Sequence, residues 1–92
     1  MEVRIQAIHF DASEKLEKFI QKKVSKLEQY YDGIIAVEVS LKVVKPETAQ
    51  NKEAGIKVLI PRNEAVFSSK VADSFEEAVD VAVDALAKQL VK

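Results

Sequence analysis

The sequence predicts an α+β fold, a two-layer sandwich with two helices packed on one face of a four-stranded sheet. Three observations predict it: apolar residues alternate with polar ones in four segments, they recur every three or four residues in two others, and the segments follow the order β-α-β-β-β-α. Two amphipathic helices must bury their apolar sides against the same sheet, which makes the two layers. At 92 residues the chain is predicted to form a single domain over residues 1–92.

The first strand and the first helix are predicted from a change of period. Val3, Ile5 and Ala7 alternate with polar residues, which indicates a strand over about residues 2–8. A helix is then predicted from residue 14 to about residue 31, with Ser13 or Asp11 as its N-cap. The helix is expected to end at 32–33, because glycine adopts a left-handed turn easily. Its apolar side comprises Leu16, Phe19, Ile20, Val24, Leu27 and Tyr31.

The second half of the chain predicts three strands and a helix. Alternation over 34–45, 56–60 and 65–71 indicates an antiparallel meander, with a mobile loop over 46–51 and a tight turn at 61–64. Asp73 and Ser74 are predicted to cap the last helix. The buried stripe of this helix is predicted to be Phe75, Val79, Ala82, Val83, Leu86 and Leu90.

The residues that usually perform catalysis or bind metals are few. The absence of cysteine excludes disulfides and cysteine-based metal sites, and His9 is the only histidine. The two glycines stand too far apart to form a phosphate-binding loop. Five acidic residues near the last helix are better explained as a solvated helix surface than as a metal site: Asp73, Glu76, Glu77, Asp80 and Asp84. We therefore expect no enzymatic activity, no cofactor, no metal and no small-molecule substrate.

The chain has neither a signal peptide pattern nor an apolar run long enough to span a membrane, so a cytoplasmic location without a membrane partner is expected. Its net charge is −1, from 14 basic and 15 acidic residues. Proteins that bind nucleic acid often have a basic excess, because contacts with phosphates supply much of their affinity. A nucleic-acid interface would therefore depend on where the positive charges lie.

The first predicted helix separates its charges by sign. At about 100° per residue, one ridge contains Lys15, Lys18, Lys22 and Lys26, whereas Lys23 lies closer to the apolar boundary. A lysine ridge of this kind is typical of a contact with a nucleic-acid backbone. Lysine ridges also occur on ordinary solvated helices, and the residues alone leave both interpretations open.

Three motifs resemble those of a known family. Residues 26–32, K-L-E-Q-Y-Y-D, closely resemble the end of the first helix in the bacterial hibernation-promoting factors, also called the sigma-54 modulation or ribosome-associated inhibitor family. Residues 39–45, V-S-L-K-V-V-K, are similar to the second strand of that family. Residues 78–90 are similar to its ending, of the form A-(I/V)-D-x-A-(I/V)-D-x-L-x-R-Q-L. The three motifs occur in order and span nearly the whole chain.

The resemblance implies the same fold, whose core order is shared with the double-stranded-RNA-binding domain. It also implies binding to 16S rRNA of the small ribosomal subunit, rather than to DNA, in the channel of messenger and transfer RNA. Occlusion of that channel would stop translation and preserve idle ribosomes under stress or in stationary phase. By motif position the implied rRNA contacts are Lys23, Lys26, Lys42, Lys45 and Lys88. Charge placement alone adds Lys22, Arg62 and Lys92.

The chain departs from the family pattern in several respects, two of which concern an expected rRNA contact and the number of domains. Lys88 replaces the more usual arginine, which would grip a phosphate with two parallel hydrogen bonds. Long members have a carboxy-terminal dimerisation domain, and this chain is expected to be a short form without it.

Two alternatives belong to other classes of protein. A small enzyme, such as an acyl-phosphate hydrolase, would need an anion cradle, but neither Arg4 nor Arg62 lies in a glycine-rich turn. A protein-interaction module that regulates transcription, as the name sigma-54 modulation suggests, would use the acidic side of the last helix.

Overall fold

A computed structural model describes residues 2–8, 10–44, 50–62 and 64–90. Its elements are β1 (Glu2–Ala7), α1 (Glu14–Ser25), a 3₁₀ helix (Lys26–Gln29), β2 (Ala36–Val43), β3 (Lys52–Ile60), β4 (Glu64–Ala72) and α2 (Phe75–Leu90). The predicted order β-α-β-β-β-α is confirmed. His9, Lys45, Lys92 and most of the predicted 46–51 loop lie outside the described residues.

The sheet has the strand order β1-β2-β3-β4. β1 pairs with β2 in parallel, and α1 makes the crossover that parallel neighbours require. β2, β3 and β4 form the predicted antiparallel meander. The register places Val3, Val37 and Val58 side by side, so the apolar residues of neighbouring strands share one face.

That apolar face of the sheet and the two helices enclose the core. Val37 and Leu41 of β2 and Ile56 of β3 are fully buried. The helices cover them with fully buried residues from both predicted stripes, Ile20, Val24, Leu27, Val79, Ala82 and Leu86, and with Ala78, which was not predicted. The other face of the sheet is open, which confirms a two-layer sandwich.

The helix caps agree in part with the prediction. Ser13 caps α1, because its Oγ accepts a hydrogen bond from the Leu16 N–H at 3.1 Å. The Ser74 Oγ likewise accepts from the Glu77 N–H at 3.1 Å at the start of α2. Asp73 was also predicted as a cap, but its carboxylate accepts the Gln50 N–H at 2.8 Å and joins α2 to the β2–β3 connection.

The end of α1 differs from the prediction. The α-helix ends at Ser25 and not near Tyr31, and the chain tightens into the 3₁₀ helix, in which the Tyr30 N–H donates to the Leu27 carbonyl at 3.0 Å. Tighter bonds of this kind satisfy carbonyl groups that a helix end leaves free. Gly33 then turns the chain toward β2 with φ of 87°, as the glycine predicted.

The two helices run in the same direction. At their amino ends, the rings of Phe10 and Phe75 stack with centroids 5.0 Å apart. Toward their carboxyl ends, Tyr30 lies beside Ala87 and Lys88. Both helices therefore end at the end of the sheet where β3 turns into β4. None of the helices in the described part of the chain is long and apolar enough to cross a membrane.

Candidate nucleic-acid interface

Lys23 lies between the two helices, and its side chain is only 25% exposed. Its Nζ is 3.0 Å from Oδ1 of Asp80 on α2 and 5.6 Å from the centroid of the Phe19 ring. The ring and the carboxylate both stabilise the ammonium group at this position. The helical pattern predicted that Lys23 lies near the apolar boundary, and the structure confirms it.

Lys26 and Tyr30 line the same depression between the helices as Lys23. Lys26 begins the 3₁₀ helix, and its backbone N–H donates hydrogen bonds to the carbonyl oxygens of Lys23 and Val24. Leu27 is fully buried beneath this turn and holds it in place. Tyr30, which follows the last residue of the 3₁₀ helix, is 47% exposed. The two ends of this anchored turn therefore present an ammonium group and an aromatic ring to the same depression.

α2 supplies the other side of this depression, which we call the interhelical groove. Asp80 and Asp84 line the groove beside Lys23 and Lys26, and Lys88 lies next to Tyr30 where the groove continues. Asp80 and Asp84 were predicted to lie on the solvent side of α2. They are exposed, but they face α1, because α1 packs beside α2. The position of α1 follows from its place in the crossover from β1 to β2.

The structure brings together three of the predicted contact residues, Lys23, Lys26 and Lys88. Lys22 is exposed on α1, one residue before Lys23. Arg62 lies in the turn between β3 and β4, at the end of the domain where both helices end. The carboxyl ends of two parallel helices lie side by side here, and their dipoles favour positive side chains.

Lys42 does not belong to this group. In β2 the buried Leu41 faces the helices, so Lys42 projects from the open face of the sheet. Its Nζ is 3.8 Å from Oε2 of Glu53 on β3. The alternation of residues along β2 already predicts that Lys42 lies on the face of the sheet opposite the helices. The predicted contacts Lys45 and Lys92 lie outside the described residues.

Three residues of the groove were not predicted as site residues: Tyr30, Asp80 and Asp84. Tyr30 belongs to the K-L-E-Q-Y-Y-D motif and lies four residues after Lys26, so helical spacing is a signal for it. No signal within α1 or α2 alone could have paired Asp80 with Lys23, because that contact depends on how the helices pack.

The other arginine of the chain, Arg4, forms ion pairs with carboxylates on the open face of the sheet. Its Nε atom is 3.0 Å from Oε1 of Glu2, and its Nη1 atom is 3.4 Å from Oε2 of Glu38. The hydrogen bond from Arg4, together with its charge, holds the pKa of the Glu2 carboxyl below its usual value. With the Lys42–Glu53 pair, these contacts neutralise two positive side chains of that face, where Lys57 remains exposed. Because Lys23, Lys26 and Lys88 lie together, the groove and the end of the domain nearest it form the better candidate interface.

Comparisons with known proteins identify the family of the chain. The model of the Sigma 54 modulation protein / S30EA ribosomal protein family matches residues 3–92. A protein of Pseudomonas putida named ribosome hibernation promoting factor is 32% identical over 92 residues, which cover 100% of this chain and 85% of that protein. A protein of the same name in Escherichia coli is 33% identical, and the match covers 100% of this chain and 92% of that protein.

Two solved structures have the same fold. The N-terminal domain of Thermus thermophilus Protein Y matches with a TM-score of 0.84 and 23% identity, over 99% of this chain and 97% of that one. A ribosomal subunit interface protein from Coxiella burnetii matches with a TM-score of 0.85 and 20% identity, over 98% and 93%. From the family match over almost its whole length, the chain belongs to the Sigma 54 modulation protein / S30EA ribosomal protein family.

Proposed function

We propose that this protein is a ribosome hibernation factor that docks on 16S rRNA of the small ribosomal subunit. Bound in the channel of messenger and transfer RNA, it occludes that channel without making or breaking a bond. The relatives named ribosome hibernation promoting factor support the process, and the interhelical groove supports the mode of binding. The observation that carries the proposal is the meeting of Lys23, Lys26 and Lys88 around the exposed ring of Tyr30.

The chemistry of the groove suits RNA. The ammonium groups of Lys23, Lys26 and Lys88, and that of Lys22 outside the groove, are donors for phosphate oxygens, and such contacts position a protein without reading a base sequence. Arg62 extends this positive surface at the end of the domain. The Tyr30 ring can stack on an unpaired base or donate its hydroxyl to a ribose. Specificity then comes from the shape of the rRNA that fits the two helix ends.

Lys42 has a separate role in this proposal, because it lies on the face of the sheet away from the helices. A domain enclosed in a channel is surrounded by RNA, so a contact from the open face is compatible with occlusion. Lys45 and Lys92 are proposed as further contacts from the family motif and from charge placement.

The test is co-sedimentation of the protein with purified small ribosomal subunits. We expect saturable binding by the wild type, and a loss of affinity of at least about tenfold for Lys23→Glu/Lys26→Glu, because two favourable charges become repulsive. The matched control is Lys15→Glu/Lys18→Glu, which makes the same change of charge at the other end of α1. Thermal unfolding of both variants shows whether each remains folded.

Equal losses in the two double variants would show attraction by overall charge, and the groove would not be the interface. Absence of saturable wild-type binding at low salt would overturn the proposal itself. In that case the protein-interaction alternative would be tested next, through the acidic residues of α2.

A further inference from the structure

The free edge of β4 is the second notable surface of the molecule. Within the described residues β4 pairs only with β3, so a nine-residue strand has one side without a backbone partner. Natural proteins usually shorten such an edge, cover it, or place charges on it, because it invites pairing with another chain. Here the middle of the strand contains no charge from Ala65 to Ser69.

Exposed apolar side chains flank this edge on both sides of the sheet. Phe67 is 60% exposed and Val71 45% exposed, and both project from the open face of β4. Val81 of α2 is also 45% exposed. The buried stripe of α2 packs on β3 and β4. Asp80 projects from one side of this stripe, toward α1, and Val81 projects from the opposite side. Val81 therefore lies on the β4 side of the helical layer.

The charges at the two ends of β4 are self-complementary. Glu64 is opposite the buried Ile60 and Lys70 is opposite the buried Ala54, so both project from the helix-covered face. Among the described residues neither forms an ion pair. An antiparallel pair of two β4 strands centred on Phe67 places Glu64 of each copy opposite Lys70 of the other.

We propose that two copies of this chain associate through their β4 edges, antiparallel and centred on Phe67. The pairing makes a continuous eight-stranded sheet, with Phe67 opposite Phe67 on one face and two Glu64–Lys70 pairs on the other. Its two-fold axis is perpendicular to the sheet, so both helix pairs lie on the same side. The surface is small and the dimer is correspondingly weak.

The same charges select this register. A shift that centres the pair on Val66 places Lys70 opposite Arg62, and a shift that centres it on Lys70 places the two lysines opposite each other. Like charges directly opposite on paired strands are destabilising. An inward-facing lysine normally prevents edge pairing, but in the register centred on Phe67 it has a carboxylate as its partner.

The first experiment is sedimentation velocity over a concentration series of the wild type and of charge variants. The wild type is expected to show a concentration-dependent monomer–dimer equilibrium. Glu64→Lys and Lys70→Glu each place like charges opposite one another, and each should weaken the dimer at least about tenfold. The double variant Glu64→Lys/Lys70→Glu restores opposite charges and should return to within about threefold of the wild type.

A second experiment tests the register directly, because the natural chain has no cysteine. In the proposed pair the Cα atoms of the two Phe67 residues are about 5 Å apart, a separation that a disulfide can span. Phe67→Cys should therefore form a covalent dimer under mild oxidation. Val71→Cys should not, because its two copies would be about 27 Å apart along the strands.

Three results would overturn the proposal: a wild type that remains monomeric up to about 1 mM, a double charge variant that does not recover, or equal cross-linking of the two cysteine variants. Neither Glu64 nor Lys70 belongs to the interhelical groove. Self-association and binding of the wild type to small subunits are measured separately, so failure of one proposal is distinguishable from failure of the other.

Discussion

The carboxylate of Asp80 competes with a phosphate oxygen for the ammonium group of Lys23, which lies 3.0 Å from it. The pair is partly exposed, with side-chain exposures of 25% and 61%, so its net contribution to stability is at most about 1 kcal/mol. Asp80 thus has two effects on the groove. It holds α1 and α2 together, and it opposes the approach of RNA.

We predict that Asp80→Asn binds the small ribosomal subunit about two- to fivefold more tightly than the wild type, because a negative charge leaves the groove and Lys23 is released. Thermal stability should fall slightly, by the loss of one partly exposed ion pair. Co-sedimentation and thermal unfolding measure the two effects. The control is Glu77→Gln, the same change of charge at an exposed position of α2 that does not line the groove. Weaker binding by Asp80→Asn would mean that Asp80 positions Lys23 for RNA.

The two glycines of the chain lie in different backbone conformations, one in a connection and one in a strand. Gly33 has φ of 87° in the connection from the 3₁₀ helix to β2, a conformation that is costly for residues with a Cβ. Gly55 has no such conformation. It lies in β3, where a Cβ would be 3.5 Å from the ring of Phe67, an ordinary packing distance. The ring of Phe67 therefore covers the glycine on the open face of the sheet.

The two glycines make a matched pair of alanine substitutions. Gly33→Ala is expected to lower the free energy of unfolding by about 1–2 kcal/mol, because alanine is strained at positive φ. Gly55→Ala should leave it unchanged or raise it by up to about 1 kcal/mol, because glycine in a strand loses more backbone entropy on folding. Urea titration of both variants measures the difference. Equal losses of stability would show that Gly55 is required for packing.

Over the whole molecule, positive and negative charges nearly cancel, and the net charge is −1. Long-range attraction between the domain and RNA is therefore weak. Binding has to depend on the lysines that come within about 8–10 Å of phosphates, the distance over which charges interact at physiological salt. A local interface of this kind predicts a moderate dependence of affinity on salt.

We expect the logarithm of the binding constant for small subunits to fall with the logarithm of salt concentration at a slope of about −3.5 to −7, as for five to eight phosphate contacts. Lys26→Ala should reduce the magnitude of the slope by about 1. Lys57→Ala, which removes an exposed lysine from the open face of the sheet, should leave the slope unchanged. A slope near zero for the wild type would exclude phosphate contacts as the source of affinity.

Most of the fold could be predicted because each element has a clear period. Alternation identified the buried faces of β1, β2 and β3, including Val37, Val39 and Leu41, and helical spacing identified the stripe from Phe75 to Leu90. The end of α1 was predicted incorrectly, because the three-residue spacing of Val24 and Leu27 suits a 3₁₀ turn as well as an α-helical one. Local spacing does not distinguish the two when the chain is about to leave the helix.

The candidate site could be predicted only in part, for a similar reason. Lys23, Lys26 and Lys88 follow from motifs within single helices, and their meeting at Tyr30 follows from the parallel arrangement of α1 and α2. The Lys23–Asp80 pair joins residues far apart in sequence. Its prediction requires the packing of two helices on the sheet, which periodicity does not specify.

The stacked rings of Phe10 and Phe75 have a consequence for how the molecule folds. They join the segment after the first strand to the start of the last helix, across most of the length of the chain. No shorter fragment can complete this contact, so its free energy becomes available only when both ends of the chain are in place. Contacts of such long sequence separation slow folding and favour a single cooperative transition. The domain is therefore expected to unfold as one unit, with no stable half.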